Sequence, residues 1–261
     1  MAESGVSLKD LDVILLSHLH IDHTADMSAV FKTIYLHNFA AKTKRSATKL
    51  PIKVFGPAKL TAGGAYDSTG TYVDGHYHEQ RGLERYIYGF ARAIKAGEFA
   101  YTTTDIPANK FKMVSGVKSP VDITTIIQTR DGLTVKAIGV DHGPVPSVAY
   151  RIEYKGKSIV YSGDTTSKMD NMIRLSDKAD ILIYDTALTD DLPPAGSVFR
   201  KFHTSPSRMG EIAQKAKAKK LIFSHISPIT EKHLDEVKKA VIKKGYTGSV
   251  ITAKDLAVYN M

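Results

Sequence analysis

The segment "SHLHIDHTAD", residues 17–26, holds three histidines and two aspartates in ten positions of a chain that has only 10 histidines in all. The apolar run "LDVILLSH" (11–18) leads into it and predicts a buried strand that ends in a functional loop. In an extended segment alternate residues share a side, and a following turn brings later residues to a neighbouring point. The segment is therefore predicted to begin a metal site with four candidate ligands: His18, His20, Asp22 and His23.

Further candidate ligands stand at the ends of other predicted strands. One metal ion takes three or four protein donors, so the first motif alone can begin two sites. The apolar runs "LTVKAIGVDH", "SIVYSGD" and "LIFSH" end at His142, Asp164 and His225. A metal-competent side chain thus follows an apolar strand at four places in the chain. This repeated pattern predicts a constellation of seven metal ligands.

The donor types limit the metal and its chemistry. The chain has no cysteine, so a metal must take nitrogen and oxygen donors. Two zinc ions about 3.5–4 Å apart, held by imidazoles and carboxylates, form a hydrolytic site in which a shared carboxylate bridges the metals. Water that bridges the two ions loses a proton near neutral pH and becomes the attacking hydroxide. We therefore expect two zinc ions, with manganese or iron as alternatives.

The motifs "HLHIDH", "DHGPVPSVAYRIE", "YSGDT", "FHTSP" and "FSHIS" resemble the metallo-β-lactamase superfamily, and within it the ribonuclease Z-like hydrolases and phosphodiesterases. The resemblance spans residues 18–225 and implies an α/β fold, a four-layer αβ/βα sandwich. Relatives usually begin with two or three more strands, whereas only about ten residues precede the first predicted strand here. We expect either a truncated start or a sheet completed by a partner chain in a homo-oligomer, because an unpaired sheet edge is a liability.

The resemblance also implies roles for individual residues. By that resemblance, one zinc is held by His18, His20 and His142, the other by Asp22, His23 and His225, and Asp164 bridges the two. Asp22 also orients the attacking hydroxide. His203, in "FHTSP", assists the leaving group, a task that suits imidazole because its pKa lies near working pH. The alternative is that His203 is a surface residue before a helix, with Thr204 and Ser205 merely capping that helix.

The bulk composition is that of an ordinary globular protein, 43% hydrophobic and 24% charged. No apolar run reaches the roughly 18 residues of a membrane span, so no membrane partner is predicted. The polar start "MAESGVSLKDLD" predicts no signal peptide. We expect a cytoplasmic location for the chain as it stands, or an exported, periplasmic one if a leading segment is missing. The net charge of +9 favours a small or anionic ester substrate, and nucleic acid is compatible with that charge without being supported by it.

The chain is predicted to form a single domain, 1–261, with an insertion at about 58–118. Six of the 13 tyrosines fall in this insertion, which we interpret as a lid. Helices are predicted at 25–39, after Ser205 or Ser207, and near 230–244. The insertion differs from the glycine- and proline-rich arm by which ribonuclease Z grips transfer RNA, so transfer-RNA processing is not supported. The lack of cysteine argues against antibiotic hydrolysis.

Three hypotheses follow for the function. The leading one is a dinuclear zinc hydrolase of phosphodiester or related ester bonds, in which the metal-bridging hydroxide attacks. The second is hydrolysis of a lactone, a carboxylic ester or an aryl sulfate on the same metals. The third is a catalytically idle metal-binding module that binds protein or nucleic acid. A panel of chromogenic substrates separates the first two, and salt-sensitive RNA binding without metal-dependent cleavage identifies the third.

Overall fold

The computed structural model describes residues 5, 11–40, 52–59, 68–73, 101–191 and 198–261, without the side chains of 35–40. Most of the predicted insertion lies outside the described residues, so its interpretation as a lid stays a prediction. The chain forms two compact units, Met1–Ile106 and Pro107–Met261. Across the described residues, no helix has the length and apolar character needed to cross a membrane.

The first unit is built on a three-stranded parallel sheet. Its strands are β1 (Val13–Leu15), β2 (Ile52–Pro57) and β3 (Tyr101–Ile106), in that order across the sheet. The helices are α1 (Ile21–Thr24), α2 (Met27–Ala40) and α3 (69–73). The first strand predicted within 11–18 is present, although its three residues are half-buried, and the helix predicted at 25–39 is confirmed. Buried apolar side chains of α2 and β2 form the core of this unit: Phe31, Ile34, Ile52 and Val54.

The second unit is built on a seven-stranded mixed sheet. From one edge to the other its strands are β12 (Ser249–Thr252), β11 (Lys220–Ser224), β10 (Ile181–Asp185), β9 (Lys157–Tyr161), β8 (Val145–Tyr154), β7 (Thr134–His142) and β6 (Thr124–Gln128). Neighbouring strands from β6 to β9 are antiparallel, and those from β9 to β12 are parallel. Strands β7, β9, β10 and β11 therefore run in one direction, and their carboxyl ends share one edge of the sheet.

The remaining elements of the second unit are a hairpin and short helices. The hairpin pairs β4 (Lys112–Val114) with β5 (Val117–Ser119). The helices are α4 (Asn171–Leu175), a 3₁₀ turn (Val198–Lys201), α5 (Pro206–Lys215), α6 (Pro228–Glu231) and α7 (Leu234–Lys243). The N-cap of α5 is Ser205 rather than Ser207, because the Ser205 hydroxyl accepts a hydrogen bond from the backbone N–H of Arg208 at 3.4 Å.

Helices α5 and α7 are tightly packed at Gly210. A Cβ atom at this position would lie 2.4 Å from the carbonyl oxygen of Val241 and 2.8 Å from its Cα. We expect Gly210→Ala to lower the free energy of unfolding by about 1–3 kcal/mol, because the overpacking cost exceeds the gain in helix propensity. Urea denaturation measures this change. Gln214→Ala, on the exposed side of the same helix, is the control and should shift the free energy by less than about 0.5 kcal/mol. A Gly210→Ala variant as stable as the parent would contradict the close packing.

Candidate metal centre

The first group of candidate ligands follows β1 in the first unit. His18 is fully buried beyond the strand end. His20 has an extended backbone and precedes α1, a single turn that carries Asp22 and His23. The hydroxyl of Thr24 donates to the carbonyl oxygen of His20 at 2.9 Å and fastens this turn. The local structure is therefore the predicted one, a short extended segment followed by a turn.

These four side chains, the motif cluster (His18, His20, Asp22 and His23), lie close together. Nε2 of His18 is 3.0 Å from Nδ1 of His20. The ring centroids of His18 and His23 are 4.1 Å apart, and Nε2 of His23 is 3.4 Å from Oδ2 of Asp22. The hydroxyl of Ser17 lies 3.2 Å from Nδ1 of His18. Polar partners thus stand at both ring nitrogens of the buried imidazole.

A second group of polar side chains meets at the carboxyl edge of the second unit's sheet. We call it the strand-end cluster: His142, Asp164, Asp185, His203 and His225. His142 and Asp185 are the last residues of β7 and β10, while Asp164 and His225 follow β9 and β11. All members except His142 place one ligand atom each within 4.8 Å of one another. The structure therefore brings together the four residues that the sequence predicted for this unit and adds Asp185.

One carboxylate oxygen of Asp164 lies at the centre of the strand-end cluster. Its Oδ2 is 3.8 Å from Nε2 of His142 and 3.6 Å from Nε2 of His225. Two ligands of a tetrahedral zinc ion are about 3.3 Å apart, given metal–ligand bonds of about 2.0–2.1 Å. These two separations, and the 3.0 Å between the ring nitrogens of His18 and His20, are close to that value. The imidazole and carboxylate donors therefore fit a divalent metal ion such as zinc.

A backbone carbonyl group fixes the orientation of the His142 ring. Its Nδ1 donates a hydrogen bond to the carbonyl oxygen of Phe202 at 2.7 Å. Because a carbonyl only accepts, the proton must be on Nδ1, and Nε2 is the nitrogen presented to a metal. Gly143 has a φ of +60°, and a Cβ there would lie 2.8 Å from the Phe202 ring. The glycine thus lets the Phe202 segment approach the end of β7.

Asp185 is the member of the strand-end cluster that sequence reasoning missed. It is 2% exposed, and its Oδ2 accepts a hydrogen bond from Nδ1 of His203 at 2.8 Å. Its Oδ1 lies 3.4 Å from Nδ1 of His225. A carboxylate at the second nitrogen of an imidazole fixes the orientation of the ring. The signal was present in "ADILIYDT", since Asp185 ends an apolar strand as the predicted ligands do.

His203 is not the surface histidine of the alternative interpretation. Its side chain is only 9% exposed, and its Nδ1 is bound to Asp185. The helix cap is supplied separately by Ser205. The histidine therefore belongs to the strand-end cluster, where its Nδ1 lies 4.0 Å from Oδ2 of Asp164.

Buried hydroxyl groups form a hydrogen-bond network beside the strand-end cluster. The hydroxyl of Thr204 donates to the carbonyl oxygen of Thr165 at 2.6 Å and lies 2.8 Å from that of Ser167. Ser167 also hydrogen-bonds to the phenol of Tyr184. Burial raises the pKa of Tyr184, so the phenol stays neutral and available as a hydrogen-bond donor. This network ties the segment after Asp164 to the residue after His203.

A family model described as the β-lactamase superfamily domain matches residues 94–226, about half of the chain and all of the strand-end cluster. This chain belongs to the β-lactamase superfamily. Members of this superfamily usually bind divalent metal ions, in agreement with the donor chemistry of both clusters.

Two similar proteins align with nearly the whole chain. Ribonuclease Z of Mycobacterium bovis is 25% identical over 260 residues, which are 98% of this chain and 81% of the relative. Ribonuclease Z of Mycolicibacterium gilvum is 24% identical over 261 residues, with 98% and 79% covered. The chain is thus a ribonuclease Z-like, metal-dependent hydrolase. This finding favours the enzyme hypotheses over that of a catalytically idle binding module.

Solved structures share the fold. The short form of human tRNase Z matches with a TM-score of 0.66 at 21% identity, covering 99% of this chain and 82% of the other. A metallo-β-lactamase fold protein from Bacillus subtilis matches with a TM-score of 0.62 at 20% identity, covering 97% and 79%. The predicted fold of the superfamily is therefore confirmed.

Proposed function

We propose that this hydrolase cleaves phosphodiester bonds with two zinc ions. The ligands proposed for the pair are His18, His20, Asp22, His23, His142, Asp164 and His225. One observation carries the proposal: Oδ2 of Asp164 lies within 4 Å of both Nε2 of His142 and Nε2 of His225. Asp164 would be shared by the two zinc ions, because its Oδ2 faces the metal-binding nitrogens of two imidazoles.

The proposal assigns the ligands in two sets. His18, His20 and His142 would hold one zinc, and Asp22, His23 and His225 would hold the other. Inside the motif cluster, the donors of His18 and His20 and those of Asp22 and His23 lie close enough to share a metal ion. The imidazole of His142 is oriented by its hydrogen bond to the Phe202 carbonyl.

The chain's own residues position the nucleophile and the proton donor. When bound, the zinc ions supply Lewis-acid stabilisation of negative charge and lower the pKa of water near neutrality. Asp22 and Asp164 orient the attacking water through their carboxylates. His203 gives its proton to the departing oxygen, and Asp185 holds its ring and balances the charge of the protonated imidazole. The chain thus has residues that orient the attacking water and a residue that protonates the leaving group.

A phosphodiester suits this site better than a neutral ester. The net charge of +9 attracts anionic substrates. The relatives in Mycobacterium bovis and Mycolicibacterium gilvum are both named ribonuclease Z, and a ribonuclease acts on phosphodiester bonds. The same proposal therefore extends to RNA as a substrate, beyond small aryl phosphodiesters.

A substrate panel tests the proposed function. The zinc-loaded protein is assayed with bis(p-nitrophenyl) phosphate, a chromogenic lactone, p-nitrophenyl acetate and p-nitrophenyl sulfate. We expect the phosphodiester to give the highest kcat/KM, to lose turnover on chelation and to regain it when zinc is restored. A higher kcat/KM for the lactone, the acetate or the sulfate would show that this class, and not phosphodiesters, is the preferred substrate. Turnover that is insensitive to chelation would overturn the metal mechanism.

Asp185→Asn should lower kcat by about 10- to 100-fold while leaving the zinc content unchanged, because the amide keeps the shape but not the charge that supports His203. Inductively coupled plasma mass spectrometry measures the zinc. Asp170→Asn is the matched control, since that aspartate is bonded to Arg208 on the surface. An Asp185→Asn variant with parental kcat would remove the positioning role.

A further inference from the structure

Three aromatic rings form a row that begins in the strand-end cluster. His203 stacks on His225 with ring centroids 5.4 Å apart and an interplanar angle of 23°. Phe199 stacks on His203 with centroids 5.8 Å apart and an angle of 29°. The row therefore continues from the candidate ligand His225, through the proposed proton donor, to a phenyl ring.

The position of Phe199 is set by the backbone that also sets His203. The carbonyl oxygen of Phe199 accepts hydrogen bonds from the N–H groups of Phe202, at 3.0 Å, and of His203, at 2.8 Å. The carbonyl of Phe202 in turn accepts from His142. Phe199, His203 and His142 are thus held by one short segment, so the phenyl ring has a defined place relative to the site.

Phe199 is exposed although it stacks on a nearly buried imidazole. It remains 40% exposed, and its neighbour Val198 is 62% exposed. His203, by contrast, is 9% exposed. The row of rings therefore ends at the surface, and its outermost member offers apolar aromatic area next to the proton donor. A planar group of a substrate can extend such a row, because stacking on an aromatic side chain depends on the π-face and tolerates different bases.

We infer that Phe199 is a stacking platform for a nucleobase on the leaving side of the scissile phosphodiester. The leaving side is assigned because Phe199 contacts His203, which protonates the departing oxygen in the proposed function, and the inference rests on that function. It narrows the substrate class from any phosphodiester to one that carries a base beside the departing oxygen.

The chain has no tryptophan, so an indole placed at Phe199 is a reporter without background. Phe199→Trp keeps an aromatic ring at the position, and its fluorescence is excited at the red edge, where tyrosine does not absorb. We expect saturable quenching by adenosine 5′-monophosphate and none by ribose 5-phosphate, which has the same phosphate without the base. Val198→Trp, on the exposed preceding residue, is the matched control and should show no saturable quenching.

Equal quenching by both phosphates, or equal quenching of both tryptophan variants by the nucleotide, would overturn the platform. Absence of quenching in Phe199→Trp would do the same. Circular dichroism compares the fold of each variant with the parent. Because this readout needs no turnover, it is independent of whether the protein proves to be a phosphodiesterase.

A second variant keeps the inference testable by kinetics. Phe199→Leu retains apolar volume and removes the π-face. We expect it to raise KM by about 5- to 20-fold for a dinucleotide, and to leave KM unchanged when the nucleotide on the leaving side is abasic. Equal effects on both substrates would contradict stacking on a base. Failure of the parent to cleave either substrate would count against the proposed function, and the fluorescence result would still decide the platform.

Discussion

Replacing Asp164 by asparagine should lower kcat/KM by about 10³-fold or more and reduce the zinc content below two ions per chain. Oδ2 of Asp164 faces Nε2 of both His142 and His225 at 3.8 and 3.6 Å. Asparagine has nearly the same volume, but its neutral amide cannot share a charged oxygen between two cations. The loss therefore affects metal binding and transition-state stabilisation together.

Zinc content and turnover of the phosphodiester substrate are measured on the same preparation of Asp164→Asn. Asp177→Asn is the control, because it makes the same chemical change at an exposed position of the same unit. It should keep parental zinc and kcat/KM. If Asp164→Asn retained two zinc ions and parental turnover, Asp164 would not be a bridging ligand.

Replacing His203 by glutamine should lower kcat by about 10²- to 10⁴-fold for a substrate with a poor leaving group, such as RNA. The reason is that a departing ribose oxygen needs a proton, and His203 is the nearly buried imidazole held by Asp185 for that step. A p-nitrophenolate departs without protonation, so the same variant should lose far less activity on bis(p-nitrophenyl) phosphate. Zinc content should stay at the parental value.

The difference between the two substrates is the decisive measurement for His203. His233→Gln serves as the control, because His233 is half-exposed at the start of α7, where its Nδ1 is hydrogen-bonded to the side chain of Glu236. It should leave both rates unchanged. Equal losses of His203→Gln on the RNA and on the aryl diester would assign His203 to substrate binding or to metal binding instead of proton donation.

Much of the site was predictable because its candidate ligands stand at the ends of apolar runs. His142, Asp164 and His225 each follow an apolar run, and such runs become buried strands. Because β7, β9 and β11 run in one direction in the sheet, their carboxyl ends share an edge. The local pattern therefore predicted the strand ends, and the common direction of the strands brings them together.

The position of Asp185 in the site was not predictable from the sequence. Asp185 ends the apolar strand β10 as the others end theirs, yet it lies in none of the motifs that resemble the superfamily. Its role depends on which side chains its two oxygens face, and these are His203, 18 residues further on, and His225. Contacts of this kind follow from how distant segments pack, which a one-dimensional pattern does not contain.

The sequence by itself determined the superfamily, the nitrogen and oxygen donor types, and the strand ends that carry them, because each is a property of residue type and local periodicity. Only the tertiary structure decided that one oxygen of Asp164 serves two imidazoles, that Asp185 holds His203, and that Phe199 extends a row of rings to the surface. These depend on rotamers and on distances between atoms remote in the chain, and packing of the whole unit fixes both.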